Sequence, residues 1–126
     1  KTYLEEKSRG LPILFLDYVN NPLPWYKAAD LFFLPSYREG LGNALIEAQL
    51  LGTTAIASDC PSGPKEIIQL FNNGINFGVG DLSDLIEKIQ SVNIVKNKKV
   101  EIDKFNYFDE DKVANEYLKF FTGLSK

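Results

Sequence analysis

The chain has 126 residues and a net charge of −3, with 44% hydrophobic and 25% charged residues, a composition typical of one soluble globular domain. No apolar run in the sequence approaches the length of a membrane span, and no signal-peptide pattern is present. One cysteine excludes an internal disulfide, and the absence of histidine removes the commonest general base and metal ligand.

Turn signals divide the sequence into short alternating segments. Continuous apolar runs of four to six residues predict strands, and longer segments with apolar residues every three or four positions predict helices. In chain order the prediction is a helix end at residues 1–10, a strand at 11–16, a helix at 23–29, a strand at 31–34, a helix at 42–51, a strand at 53–57, a helix at 65–71, a strand at 75–79, and helices at 82–89 and about 109–123.

The predicted strands are uniformly apolar and do not alternate with polar residues. Such strands are covered on both faces, and their alternation with helices favours a parallel sheet in a doubly wound α/β domain. Residues 91–108 have no clean period and are predicted as loop. Because the chain begins at Lys1 and contains no methionine, we expect it to be a segment of a longer protein.

The most informative segment runs from the end of the second predicted strand through Gly40 and Gly42 into a helix. Ligands bind at such positions in open α/β sheets. The glycines allow a close approach of the backbone, and the first helical N–H groups have no partner within the helix. This combination favours phosphate binding, although tight turn geometry alone also explains the two glycines.

Two carboxylates flank this glycine turn. Glu47 lies on a helix that is apolar on nearly every face, so a partly buried carboxylate there needs hydrogen-bond donors, for which ribose hydroxyls are suitable. An ion pair with Arg38 or Lys65 is the alternative. Glu39 lies in the loop, where it can accept hydrogen bonds from sugar hydroxyls or simply favour the helix N-terminus.

A second loop of the same kind covers residues 58–64, between the third predicted strand and the next helix. Two such loops after neighbouring strands are expected to form adjacent walls of one crevice. Cys60 lies in this loop, but no histidine is present to activate it, and we expect it to be inert. The cluster Lys96, Lys98 and Lys99 is interpreted as a solvated loop, so no nucleic-acid partner is expected.

These residues resemble a known family. Glu39 and Glu47 stand in the spacing of the E-x7-E signature of family-4 glycosyltransferases, also called glycosyltransferase group 1. Residues 29–36 and 54–58 are similar to the family's strands on either side of that motif. Residues 59–67 resemble the Pro-Ser/Thr-Gly-Pro-Lys/Arg-Glu-Ile loop of members that build lipopolysaccharide, capsule or protein-linked glycans. The resemblance covers about residues 11–90.

The resemblance implies a GT-B fold, in which this chain is part of the C-terminal, Rossmann-like donor-binding domain. It also implies transfer of a sugar from a nucleoside diphosphate, with UDP as the expected nucleotide, with retention and without a metal or other cofactor. Glu39 is the implied catalytic-site residue, and it binds hydroxyls of the donor sugar. Glu47 is expected to hold the ribose. The residues implied in donor binding are Gly40, Leu41, Gly42, Asn43, Glu47, Tyr18, Val19, Ser62, Gly63 and Glu66.

The family's diphosphate-neutralising Arg and Lys and its acceptor-binding N-terminal domain belong upstream of Lys1. We therefore expect the isolated chain to bind nucleotide weakly, to be inactive and to self-associate through an exposed sheet edge. Partners of the whole protein are then a nucleotide-sugar and a glycan or lipid-linked acceptor, in the cytoplasm or at the inner face of the plasma membrane. A sugar-nucleotide epimerase of the same architecture and a flavodoxin-like regulatory or binding module are the alternatives.

Overall fold

A computed structural model describes residues 2–95 and 98–123. Helices and strands alternate through the central part of the chain, while the C-terminal third is helical. In chain order the elements are α1 Thr2–Lys7, α2 Leu23–Ala28, β1 Phe32–Leu34, α3 Asn43–Leu50, β2 Ala55–Ser58, α4 Pro64–Phe71, β3 Gly74–Phe77, α5 Leu82–Ser91, α6 Ile102–Asn106 and α7 Glu110–Gly123.

The three strands form one parallel sheet in the order β1-β2-β3. Phe32 pairs with Ala55, and Ala55 in turn pairs with Gly74, so the three strands are in register from their first residues. Parallel pairing requires a crossover, which α3 and α4 supply between successive strands. The predicted α/β class with a parallel, Rossmann-like sheet is confirmed.

One face of the sheet carries the main hydrophobic core. Ala55 and Ala57 of β2 are fully buried, and their small side chains let α3 and α4 pack closely against the strand and against each other. The residues of this core are Leu45, Ile46, Ala55, Ala57, Ile67, Ile68 and Phe71, with Phe32, Leu34, Leu50, Leu70, Val100 and Phe108 packed against them.

The opposite face of the sheet is centred on Ile56, which is fully buried. Phe33 and Phe77 stack beside it with ring centroids 5.7 Å apart. Phe77 also borders a small cavity together with Leu85 of α5, so α5 covers the β3 side of this face. Burial of β2 on both faces explains why its sequence is uniformly apolar.

The prediction of a strand at residues 11–16 is wrong. The segment has no regular structure, and its large apolar side chains are 47–72% exposed at Leu11, Ile13, Leu14 and Leu16. Pro12 withholds a backbone N–H, and Ile13 N–H donates instead to the Leu11 carbonyl at 2.8 Å, which closes a tight three-residue turn. Among the described residues, β1 therefore pairs only with β2.

The prediction of loop throughout residues 91–108 is wrong at α6, a helix of five residues. The remaining helices agree with prediction to within a few residues. Glycine and asparagine end several of them, since Gly10 and Gly52 have φ near 80° and Asn72 has φ 47°. None of the helices in the described ranges has both the length and the apolar character needed to cross a bilayer.

Candidate functional site

Loops that follow the three parallel strands meet at one edge of the sheet. We name them the first loop, residues 35–42, the second loop, residues 59–63, and the third loop, residues 78–81. A Cβ added to Gly63 of the second loop would lie 2.7 Å from the Leu41 carbonyl oxygen of the first. The Tyr37 ring lies beside Gly80 of the third loop. The expected adjacency of the first two loops is confirmed.

The first loop ends at Gly42, which initiates α3 in the left-handed conformation, with φ 78° and ψ 51°. Gly42 is buried next to the side chains of Ile67 and Leu34, so packing against the hydrophobic core fixes the turn. No side chain caps α3. Within the described residues, the N-cap of this helix therefore offers no side-chain acceptor to the first N–H groups, which lie at the positive end of the helix dipole.

Glu39 is half-buried in the first loop and is held by a neighbour. Ser36 Oγ donates a hydrogen bond to Glu39 Oε1 at 2.5 Å. Ser36 is in turn tied to β2, because the Ser58 hydroxyl donates to the Ser36 carbonyl at 2.5 Å. The carboxylate is thus attached to the sheet through two hydroxyls.

Glu47 lies one helical turn after Asn43 on the same side of α3. Both side chains border a groove of about 620 Å³ that is bounded on its far side by Val113 and Tyr117 of α7. Glu47 is half-buried as predicted, and within the described residues it forms no ion pair with Arg38 or Lys65, the alternative explanation for its position.

The negative charge of Glu47 is felt by a neighbouring phenol. Burial, and then the Coulombic effect of Glu47, raise the pKa of Tyr26 above its ordinary value. Tyr26 belongs to α2, which packs against α3, and its backbone carbonyl accepts a hydrogen bond from Thr53 Oγ1 at 2.7 Å. Glu47 therefore lies between α2 and the groove.

The second loop satisfies its own polar groups. Ser62 and Gly63 both have positive φ, 71° and 95°, and Gly63 N–H donates to Glu66 Oε2 at 3.1 Å. Glu66 thereby caps the first turn of α4. Lys65 Nζ pairs with Asp59 Oδ2 at 3.0 Å across the loop, where both side chains are about half exposed.

Tyr18 and Val19, expected near the nucleobase, are not brought into either of the grooves that border Leu41. Tyr18 is 90% exposed, because the segment that precedes it does not join the sheet. The structure thus brings Leu41, Asn43, Glu47, Gly63 and Glu66 to two adjoining grooves. Glu39 and Ser62 lie in the neighbouring loops and border neither groove, and Tyr18 and Val19 lie apart from both.

Sequence reasoning missed an aromatic pair, Tyr107 and Phe108. Both border the groove of Glu47 and a smaller groove of about 240 Å³ that contains Leu41, Gly63 and Glu66. Phe108 is anchored by stacking on Phe71, with ring centroids 6.3 Å apart. The cluster of aromatic residues after position 104 is visible in the sequence, but no helical or strand periodicity indicates that it lies at the sheet edge.

Cys60 of the second loop is buried and forms no disulfide, which agrees with a packing role. The described part of the chain holds no group of three or more His, Cys, Asp or Glu side chains arranged to bind a metal ion.

Comparison with known proteins gives a family and several relatives. The family model described as "Glycosyl transferases group 1" matches residues 1–93. The chain is 33% identical over 105 residues to N,N'-diacetylbacillosaminyl-diphospho-undecaprenol alpha-1,3-N-acetylgalactosaminyltransferase of Campylobacter jejuni, covering 77% of this chain and 27% of that protein.

Two further relatives are named after surface polysaccharides. A capsular polysaccharide biosynthesis glycosyltransferase of Staphylococcus aureus is 29% identical, covering 64% of this chain and 21% of its own length. An O-antigen biosynthesis glycosyltransferase of Escherichia coli is 27% identical, covering 89% and 32%. The chain thus spans a third or less of these relatives. No solved structure matches it.

Proposed function

Because the chain belongs to the group 1 glycosyltransferases, we propose that it is the donor-binding part of a retaining enzyme that transfers a sugar from a nucleoside diphosphate. UDP is the proposed nucleotide. A cell-surface glycan or a lipid-linked glycan is the proposed acceptor, in keeping with relatives named after capsule, O-antigen and undecaprenol-linked glycans. The proposed location is the cytoplasm or the inner face of the plasma membrane.

The observation that carries this proposal is the uncapped start of α3 between two half-buried carboxylates. Unpaired N–H groups at a helix start bind phosphate because the dipole and the donors act together. Glu39 and Glu47 lie on either side of that start in the sequence, one carboxylate before and one after the proposed diphosphate-binding N–H groups.

In the proposed complex, the backbone N–H groups of residues 40–42 contact the diphosphate. Glu39 accepts hydrogen bonds from hydroxyls of the donor sugar, and Glu47 accepts them from the ribose. Asn43 lies beside Glu47 and is placed to donate to the same groups. Ser62, Gly63 and Glu66 form the neighbouring wall and hold Leu41 in position.

The chain spans a third or less of the relatives compared above, so contacts that other parts of such a protein would make with the ligand are absent from the isolated chain. We therefore propose that the 126-residue chain alone is inactive and binds UDP-sugars weakly. Isothermal titration calorimetry with UDP-N-acetylgalactosamine should give no micromolar affinity; a micromolar Kd would contradict this part of the proposal.

The exposed segment at residues 11–16 and the edge of β1 that has no partner among the described residues also favour self-association. Analytical ultracentrifugation of the chain at high concentration would reveal it.

The assignment itself is tested by Glu39→Ala and Glu47→Ala in the full-length protein. We expect Glu39→Ala to lower donor turnover about a hundredfold, as removal of one preorganised polar group in an active site does. Glu47→Ala should weaken donor affinity about tenfold through loss of hydrogen bonds to the ribose. Glu87→Ala, an exposed substitution on α5, is the matched control, and full activity in both site variants would refute the assignment.

A further inference from the structure

The loop that carries Glu39 contains a hydroxyl whose role none of the comparisons assigns. Ser36 lies two residues beyond β1, and its Oγ donates to Glu39 Oε1 at 2.5 Å. This distance is that of a charge-assisted O–H···O⁻ hydrogen bond, which is stronger than a neutral one. Ser36 is the side-chain partner of Glu39 within the described residues, and no ion pair there competes for the carboxylate.

Ser36 is itself immobilised from the sheet. Ser58, the last residue of β2, is 1% exposed, and its hydroxyl donates to the Ser36 carbonyl. A hydroxyl buried to that extent needs a partner, so this hydrogen bond is part of the fold. The Ser36 backbone is therefore fixed to the central strand, and its side chain transmits that position to Glu39.

We propose that Ser36 is a positioning residue for Glu39, its hydroxyl holding one carboxylate oxygen so that the other faces the hydroxyls of the donor sugar. This inference rests on the proposed role of Glu39. A carboxylate on a flexible glutamate side chain loses rotamer entropy when it binds a ligand. Because the Ser36 hydrogen bond already restricts the Glu39 side chain, part of that entropy is lost before the sugar binds.

The proposal predicts an effect on one part of the ligand only. Ser36 should contribute to the recognition of the sugar and not to that of the nucleoside diphosphate, because Glu39 contacts only the sugar. In the full-length protein, Ser36→Ala should weaken the binding of UDP-N-acetylgalactosamine about tenfold, the loss expected for one hydrogen bond to a charged group, and leave UDP affinity unchanged. Ser36→Thr keeps the hydroxyl and should restore binding of the sugar nucleotide.

Calorimetric titration of each variant with UDP and with UDP-N-acetylgalactosamine is the measurement, with GDP-mannose and dTDP-glucose, each paired with its own diphosphate, replacing them if the protein prefers another base. Ser83→Ala, an exposed serine on α5, is the matched control. A parallel fall in affinity for both ligands would mean that Ser36 only supports the fold, which would overturn the inference.

A double-mutant cycle separates this inference from the proposed function. If Ser36 acts through Glu39, Ser36→Ala should have no further effect on sugar binding in a Glu39→Ala background. Equal losses in both backgrounds would overturn the positioning role while leaving Glu39 in place. An unchanged affinity and turnover in Glu39→Ala alone, or binding of none of the three sugar nucleotides, would instead remove the proposed function and the inference with it.

Discussion

The first and second loops have similar sequences but treat their polar groups differently. Each follows a strand of the sheet, contains Pro, Ser and Gly, and ends at a glycine of positive φ that starts an eight-residue helix. Both helices start at a glycine that offers no side-chain acceptor, but at α4 the Gly63 N–H donates to Glu66, and Lys65 pairs with Asp59. At α3 the position that corresponds to Glu66 is Leu45, which cannot accept such a hydrogen bond, and Glu47 has no ion-pair partner among the residues described.

The difference indicates which loop supports the fold and which is left open for a ligand. A helix start whose glycine N–H is bonded by a nearby glutamate gains stability from that hydrogen bond, whereas a helix start without such a bond forgoes it. The second loop also buttresses the first, because Gly63 packs directly against the Leu41 backbone. Four substitutions test this division of roles, and the first has the largest expected effect.

Gly63→Ala should lower the free energy of unfolding of the chain by about 3 kcal/mol, since a new Cβ both strains a positive φ and collides with Leu41. The collision is at 2.7 Å from a backbone oxygen, which a side-chain rotation cannot relieve. Urea denaturation measures the effect. Gly40→Ala is the matched control, because its Cβ would meet no atom within 4 Å, and an equal loss in both variants would contradict the buttress.

Gly42→Ala should cost less, about 1 kcal/mol, because only the left-handed backbone conformation opposes it. The nearest atom to its Cβ would be Ile67 Cδ1 at 3.7 Å, an ordinary contact. The same denaturation experiment ranks the two glycines. A loss at Gly42 as large as that at Gly63 would show that the first loop, too, is closed by tight packing.

Glu66→Ala should lower the free energy of unfolding by about 1 kcal/mol through loss of the α4 cap. Glu39→Ala removes the hydrogen bond from Ser36 but no helix cap, and because both residues are only half-buried, water can replace the lost partner; we expect a change of about 0.5 kcal/mol. In thermal unfolding, Glu66→Ala should therefore be the more destabilised variant, whereas Glu39→Ala should have the lower turnover. If Glu39→Ala proved the more destabilising of the two, Glu39 would have a structural role.

The third loop provides the smallest test, through pH. The Gly78 N–H donates to Asp84 Oδ2 at 2.7 Å and, with the charge of Lys88, lowers the pKa of Asp84, against a smaller opposing effect of burial. Because the folded pKa lies below the unfolded one, the stability that Asp84 contributes is present at neutral pH and is lost as the pH falls through the lowered folded pKa.

Asp84→Asn should therefore flatten the acid limb of a plot of unfolding free energy against pH, with Asp103→Asn, an exposed residue of α6, as control. An unchanged acid limb would mean that the Gly78 hydrogen bond does not persist in solution.

Much of the central sheet was predictable because its signals are local. The apolar run of β2, the glycine after α3 and the asparagine after α4 place those elements to within two residues. Residues 11–16 have the same apolar signal, yet strand formation depends on a partner, and the turn at Pro12 competes with it. Pairing is a long-range property that composition does not encode.

Some parts of the site follow from local sequence signals, and others depend on long-range contacts. Gly40, Gly42 and Glu39 of the first loop and Glu47 of α3 are recognisable from their spacing, and the proximity of the second loop follows from parallel topology. The resemblance implies Glu66 in donor binding, and the structure shows in addition its hydrogen bond to the Gly63 N–H, a contact expected from its position near the helix start. Tyr107 and Phe108 reach the site from the C-terminal region, and their placement depends on stacking over Phe71, which no local pattern predicts.

The order of the strands in the sheet, β1-β2-β3, is also their order along the chain. Each pairing therefore closes a shorter stretch of polypeptide than the pairing of non-consecutive strands would, which limits the entropy lost in joining the strands. Assembly can proceed by adding one strand and its crossover helix at a time. Residues 32–77 are then expected to form a cooperative unit during folding, onto which the flanking helices dock afterwards.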